Sequence, residues 1–422
     1  MNALRTDFYQ LTMAAGYFRA GKQQERATFE LFVRRLPPGR PFLVAAGLAQ
    51  AIEYLESLRF TEAEIAWLRT LPQLARAGED FWAYLSEFRF TGEVYAVPEG
   101  TLLYANEPLL SVRAPLIEAQ IVETYLLATL GFQTMIASKA AVVTAAAQGR
   151  VVVEFGARRA HSPEAGVLAA RAAYIGGCAG TSNTEAGMRF GIPVFGTAAH
   201  SWVLAFPDER AAFEQLQALL QDHAVYLIDT YDSVAGARVA ASLGRPILGV
   251  RLDSGDLVKL SREVRAILDG AGLRDARIMA TNELDEHRIA CLISEGAAID
   301  LFGVGSALAT SADAPSLGAV YKLVEIESGG QQRYPAKHSP DKQTLAGAKQ
   351  VFRYRDYDVL GRAGECQPEA GDCVALLEPV MAGGQRLGPL PTASAARERF
   401  KRALPEPART VRLSPALERI QP

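Results

Sequence analysis

Apolar runs return along the middle of this chain at residues 151–155, 192–195, 224–228, 247–252, 277–280, 298–304 and 319–324. Between several of them the apolar spacing changes from strand-like to helical, at 209–220, 233–243, 256–268 and 283–295. Strands alternating with helices at this spacing predict right-handed βαβ units and a parallel sheet. Each run stops at a polar cluster: Glu154-Phe155, Thr197 to His200, Asp229, Arg251 and Asp253, Thr281-Asn282, then Gly303 to Ser306. In a closed (β/α) barrel the carboxyl ends of the strands form one mouth and gather such clusters, so an α/β barrel is the expected fold. An open doubly wound sheet is the alternative, but it concentrates its site at one switch point and would strand several clusters.

The flanks read differently. Thr6 or Asp7 opens a short helix ending at Gly21, residues 27–33 alternate as a strand, helices follow at 45–58 and within 62–88, and 92–112 holds short strands broken by prolines. Residues 116–130 return to helix. Beyond 325 the rhythm fades: 331–377 reads as strands rejoining the N-terminal lobe, and 397–404 as a surface helix. The expected division is therefore an α+β lobe from residues 1–130 plus 331–422, and a barrel-like domain over 131–330.

Bulk properties narrow the function. The chain has 422 residues, with 44 Lys and Arg against 47 Asp and Glu, so no overall basic footprint for nucleic acid or anionic membrane exists. No run of 18 apolar residues occurs and the N-terminus lacks a signal-peptide pattern, so a cytoplasmic enzyme is expected. Four cysteines make no disulfide framework. Cys366 and Cys373 form at most half of a metal site, and free thiols are the expectation.

The strand-end clusters carry candidate chemistry. Asp253-Ser254-Gly255-Asp256 suits a polyhydroxylated, anionic ligand, or a helix cap. Gly303, Gly305 and Ser306 can cradle phosphate on backbone donors, or make a tight packing turn. His200, beside Ser201, offers a nucleophile toward phosphate or an acid/base. Arg158, after the strand-end aromatic Phe155, suits a planar carboxylate. No serine lies in a GxSxG elbow and no histidine pair has metal-ligand spacing, which leaves hydrolase and zinc-enzyme readings without support. An aldolase would want a Schiff-base lysine at a strand end, and Lys139, the nearest candidate, sits in a helical context.

The segments TDFYQLTM, FELFVRRLP, EFGARRAHSPEAG, GTSNTEAG, GIPVFGTAAHSWV, LIDTYDS, GVRLDSGDL, FGVGSAL, PSLGAVYKLVE and KQVFRY, in this order, resemble the nicotinate phosphoribosyltransferases, type II phosphoribosyltransferases of NAD biosynthesis. The resemblance implies an irregular barrel beside a smaller lobe built from both chain ends. It implies transfer of phosphoribose from phosphoribosyl pyrophosphate to nicotinate, with Mg²⁺ and coupled to ATP hydrolysis through a phosphohistidine at His200. Phe155, and Tyr9 from the partner of a homodimer, would sandwich the ring; Arg251, Thr197, Arg158 and Ser182 would position ring and carboxylate. Asp229 and Asp253 would lie by the ribose and reacting nitrogen. Asp253, Ser254, Gly255, Asn282, Gly303, Gly305 and Ser306 would hold phosphoribosyl pyrophosphate, and Lys337, Lys342 and Lys349 would meet pyrophosphate or ATP. The similar nicotinamide-specific enzymes tend to carry aspartate where Ser182 stands, and a carboxylate there would repel nicotinate. Ser182 therefore favours the acid. A catalytically silent phosphoribosyl- or nucleotide-binding homologue is the alternative of another class.

Overall fold

The computed structural model describes residues 3–337, 339, 342–403 and 409–421. The chain forms two compact units, Met1–Met135 with Ser316–Pro422, and Ile136–Pro315.

The first unit is built on a seven-stranded antiparallel sheet. An interior strand, Arg26–Val33, pairs on one side with Ala319–Ser328 and on the other with Pro108–Pro115. This pairing draws the apolar run at 319 into the first unit, where the sequence had assigned it to the barrel domain. An apolar run satisfies either sheet equally, and only its partner decides. The alternation expected at 27–33 is absent in burial: both faces of the strand are covered, and Glu30 is fully buried. Lys349 compensates that charge, with Nζ 2.7 Å from Glu30 Oε2. The glycine- and proline-rich tail also contributes, since Glu378–Ala382 pairs with Glu93–Ala96. A separate four-stranded sheet holds Lys349–Arg353 and Tyr357–Arg362, with Thr410–Leu413 added in parallel to the latter. The helix expected at 397–404 covers Ala393–Ala403 and buries Ala393, Ala396 and Phe400; Leu404 lies outside the described residues.

The second unit carries six parallel strands in the order Gly180–Thr181, Val151–Glu154, Leu301–Val304, Arg277–Ala280, Gly249–Leu252, Val225–Leu227. Helices such as Glu209–Leu220, Ser233–Ser242, Leu257–Gly270 and Glu286–Ser294 alternate with them. Asp208, Asp232, Asp256 and Asp285 cap these four helices through their side chains, which fixes where each helix begins. The run at 192–195 does not form a strand: Pro193 has no N–H for a ladder, and only a parallel bridge joins Val194 to Thr181. Among the described residues no ladder joins the two edges of this sheet. One apolar cavity of about 90 Å³ is lined by Val225 from one edge strand, by Val153, Val250, Met279 and Leu301 from the strands between, and by Phe195 and Thr197 from the segment that bridges to the other edge.

The helix Glu123–Ala146 is long and apolar enough to cross a membrane, but 72% of its most apolar window is buried in the protein, as for a core helix. Lys139 on this helix is buried, with Nζ 2.6 Å from Glu286 Oε2 and 2.8 Å from Asp313 Oδ1. Its amine is engaged by two carboxylates rather than presented to a carbonyl substrate.

Candidate active site

The polar clusters at the carboxyl ends of the parallel strands converge around Arg251. This residue lies in the Gly249–Leu252 strand, and its guanidinium reaches three neighbours. Nε donates to Thr281 Oγ1 at 2.9 Å, Nη1 to Thr197 Oγ1 at 2.9 Å, and Nη2 to Asp253 Oδ1 at 2.9 Å. A planar fork held from three sides has little freedom left, so its orientation is fixed before any ligand arrives. Asp253 is fixed in turn by the Thr281 hydroxyl. Burial opposes its ionisation, but the Thr281 hydrogen bond, the Arg251 charge and His200 outweigh it and hold the carboxyl below its usual range.

Asp229 follows the Val225–Leu227 strand. Its Oδ2 accepts the Asp253 N–H at 2.9 Å and the Ser254 hydroxyl at 2.6 Å, which locks the turn carrying Gly255. Gly255 has φ +79°, a conformation that side-chain-bearing residues seldom adopt. Asp229 Oδ1 is buried and has no hydrogen-bond partner. A buried carboxylate oxygen left open is costly unless a ligand or ion completes it.

His200 opens the short helix His200–Leu204. Its Nδ1 lies 3.2 Å from Thr230 Oγ1, and its Nε2 lies 4.0 Å from Asp229 Oδ1 and 3.8 Å from Asp253 Oδ2. The side chain is 42% exposed, within reach of a soluble reactant.

Phe155, partly buried at the end of the Val151–Glu154 strand, donates its N–H to Val304 O at 2.8 Å. Its ring explains Gly303: a Cβ there would come within 2.9 Å of Phe155 Cδ2 and 2.6 Å of Thr281 Cγ2. Gly303 is buried and needed for this packing, while Ser306 is exposed at the start of the helix Ser306–Ala309, with Gly305 as its cap. Ser182 is half-buried beside the Gly180–Thr181 strand, and its N–H meets Glu154 O at 2.9 Å. Asn282, at φ +80°, and Arg158 are exposed.

Other expected residues lie in the first unit. Tyr9 is 47% exposed on the helix Phe8–Arg19, beside Phe8 and Met13, which are also exposed. Lys337 is exposed and helps line a cavity of about 370 Å³, and Lys342 is exposed. Lys349 departs from expectation: its ammonium is committed to Glu30 and to the carbonyls of Leu345 and Gly347, so it offers no free charge to pyrophosphate or ATP. Cys366 and Cys373 are free thiols, and among the described residues no group of three or more His, Cys, Asp or Glu could hold a metal.

Residues 4–131 match the nicotinate phosphoribosyltransferase N-terminal domain, and 151–343 match the nicotinate phosphoribosyltransferase family. The nicotinate phosphoribosyltransferase pncB2 of Mycobacterium tuberculosis is 46% identical over 410 residues, covering 94% of this chain and 86% of its own. The chain belongs to the nicotinate phosphoribosyltransferase family. The Bacillus subtilis nicotinate phosphoribosyltransferase is 47% identical over 360 residues, 83% of this chain and 73% of its own. The crystal structure of human nicotinic acid phosphoribosyltransferase superposes with a TM-score of 0.81 at 30% identity, covering 98% of this chain and 99% of that one.

Within this family's frame the structure brings together Phe155, Thr197, His200, Asp229, Arg251, Asp253, Ser254 and Gly303 through direct bonds or close contacts. Thr281 and Thr230 tie the group together, although in the sequence Thr281 is only one of a strand-end polar pair and Thr230 does not stand out. Their only signal is position, one residue after a strand end and one after Asp229. Hydroxyls in such places are too common to stand out.

Proposed function

We propose that this protein is a nicotinate phosphoribosyltransferase that joins nicotinate to phosphoribosyl pyrophosphate, giving nicotinate mononucleotide and pyrophosphate, with ATP hydrolysed alongside. The observation that carries the reading is the convergence of Arg251, Asp229, Asp253 and His200 at one end of the parallel sheet. The parallel strands, with one cavity lined by the Val225–Leu227 edge and by the segment bridged to the Gly180–Thr181 edge, support an irregular barrel as the frame.

The pyridine nitrogen has a free lone pair and needs no base. It attacks the anomeric carbon while the bond to the pyrophosphate oxygen breaks, and positive charge develops on the ribose. Asp253, partly exposed, and Asp229, buried beside it, stabilise that charge. Arg251 takes the carboxylate of nicotinate, Thr197 and Ser182 complete the ring's polar edge, and Phe155 stacks on its face, so that the nitrogen is held in line. Arg158 and Asn282 are exposed enough to meet anionic groups of the substrates. Gly305 and Ser306, at a strand end opening a helix turn, receive the 5-phosphate.

Asp229 and Asp253 would hold Mg²⁺. The unpaired buried oxygen of Asp229 supports this, and Mg²⁺ commonly takes one or two carboxylates with substrate phosphates for the rest. When bound, the ion neutralises charge on the departing pyrophosphate. In the tautomer whose Nδ1–H donates to Thr230 Oγ1, His200 presents a lone pair on Nε2 for transfer of the ATP γ-phosphoryl, releasing ADP. The resulting phosphohistidine adds charge beside the pyrophosphate position and changes substrate affinity. The exposed Tyr9, with Phe8 and Met13, supports a homodimer in which this ring is offered to the neighbouring copy. A cytoplasmic location accords with these soluble substrates.

Chromatographic detection of nicotinate mononucleotide after incubation with nicotinate, phosphoribosyl pyrophosphate and Mg²⁺, with and without ATP, tests the reading.

A further inference from the structure

Glu154 ends the Val151–Glu154 strand with a side chain that is fully buried, and none of its described hydrogen-bond partners is a cation. Burial pushes its carboxyl above the usual range, although Thr181 and Gly156 oppose the shift. Such a group costs stability, and an apolar residue would pack the same space more cheaply. Its contacts explain its presence. Oε1 accepts the N–H of Gly156 in a short hydrogen bond, and Oε2 accepts the Thr181 hydroxyl at 2.5 Å. The Glu154 carbonyl accepts the Ser182 N–H at 2.9 Å, and Thr181 Oγ1 accepts the Asn183 N–H at 2.9 Å. One residue thus ties the turn that carries Phe155 to the neighbouring strand end that carries Ser182. Two acceptor oxygens on one rigid carboxylate hold both segments at once, which no apolar side chain can do.

We propose that Glu154 is a positioning residue for the pyridine substrate, a brace that sets the spacing of Phe155 and Ser182 and so determines affinity for nicotinate. It touches no substrate itself. The inference rests on the reading above, in which Phe155 and Ser182 meet the ring. The hydrogen bonds of the Glu154 side chain run to the Phe155 turn and to the strand end of Ser182, so loss of the brace acts more on the pyridine than on phosphoribosyl pyrophosphate.

The test is steady-state kinetics with both substrates varied, on the wild type and on Glu154→Ala, Glu154→Gln, Thr181→Val and Phe155→Ala. Removing a buried hydrogen-bonding partner should raise the KM for nicotinate roughly tenfold or more in Glu154→Ala, with the KM for phosphoribosyl pyrophosphate within about twofold. Glu154→Gln keeps an acceptor for Gly156 and a polar partner for Thr181, and should recover nicotinate KM to within about threefold of wild type. Should Glu154→Ala fail to fold, Thr181→Val must still raise the nicotinate KM, and adding Glu154→Gln to it must give less than the product of the single effects. Equal increases in both KM values, or a nicotinate KM in Glu154→Ala equal to wild type while Phe155→Ala is impaired, overturns the brace alone. If Phe155→Ala also binds nicotinate normally, the ring-site reading fails and the brace falls with it.

Discussion

Arg251 and Asp253 stand two residues apart at the end of one strand, and their side chains meet at 2.9 Å. The two-residue period of a strand puts both on one face, and Thr281 on the neighbouring strand end bonds to each of them. The hydroxyl donates to the carboxylate and accepts from the guanidinium, so the ion pair is held in register by a third group.

Thr281→Val removes that link. Asp253 loses one of the partners that keep its carboxyl below the usual range, so its pKa rises. A reaction that needs the carboxylate ionised then fails at higher pH as acid is added: the acidic limb of the kcat/KM profile should move up by roughly half to one pH unit. Stability has the same sign. The contribution of ionised Asp253 is present above its unfolded pKa of about 3.9 and is lost as pH falls through the lower folded value.

His200→Ala should abolish transfer of label from γ-labelled ATP to the protein and remove ATP stimulation of product formation. His200→Gln, which keeps polarity and no nucleophilic nitrogen, should do the same. Acid-labile label on wild-type protein, absent from both variants, is the expected result. Label that persists in His200→Ala would place the phosphoryl acceptor elsewhere.

In the first unit, Lys349→Met leaves Glu30 buried without its cation. Breaking one side of a buried pair should cost about 3–5 kcal/mol in a denaturant titration. The double variant with Glu30→Gln should recover most of the loss, because no uncompensated charge remains. Activity lost without any change in stability would instead give Lys349 a direct role with the substrates.

Much of the second unit is legible in the sequence because five of its six parallel strands are short apolar runs ending in polar residues, and the runs at 277–280 and 247–252 fall where strands form, whereas Gly180–Thr181 carries no apolar signal. The run at 192–195 is equally apolar, but Pro193 limits it to a single bridge. Strand 319–328 has the right composition and joins the other unit, since composition does not name a partner. Among site residues, Arg251, Asp253 and His200 announce themselves by charge and company. Thr281, Thr230 and the bracing role of Glu154 do not, because their function lies in whom they touch across strands. Lys349 shows the converse: a basic residue in a polar-looking segment is the buried partner of a glutamate from a strand more than three hundred residues earlier.

Ser182→Asp should turn the ring site against its acid. A carboxylate beside the seat of nicotinate's own carboxylate should raise the KM for nicotinate by at least roughly tenfold while leaving nicotinamide unaffected or improved. Binding of both pyridines by calorimetry, in the presence of phosphoribosyl pyrophosphate, reads this directly.

The most direct measurement of the whole account is pyrophosphate release by the wild-type protein with phosphoribosyl pyrophosphate and Mg²⁺, comparing nicotinate with nicotinamide, each with and without ATP. Release that depends on nicotinate and rises with ATP is the expected result. Turnover of nicotinamide in preference to nicotinate, or no release with either, would contradict it.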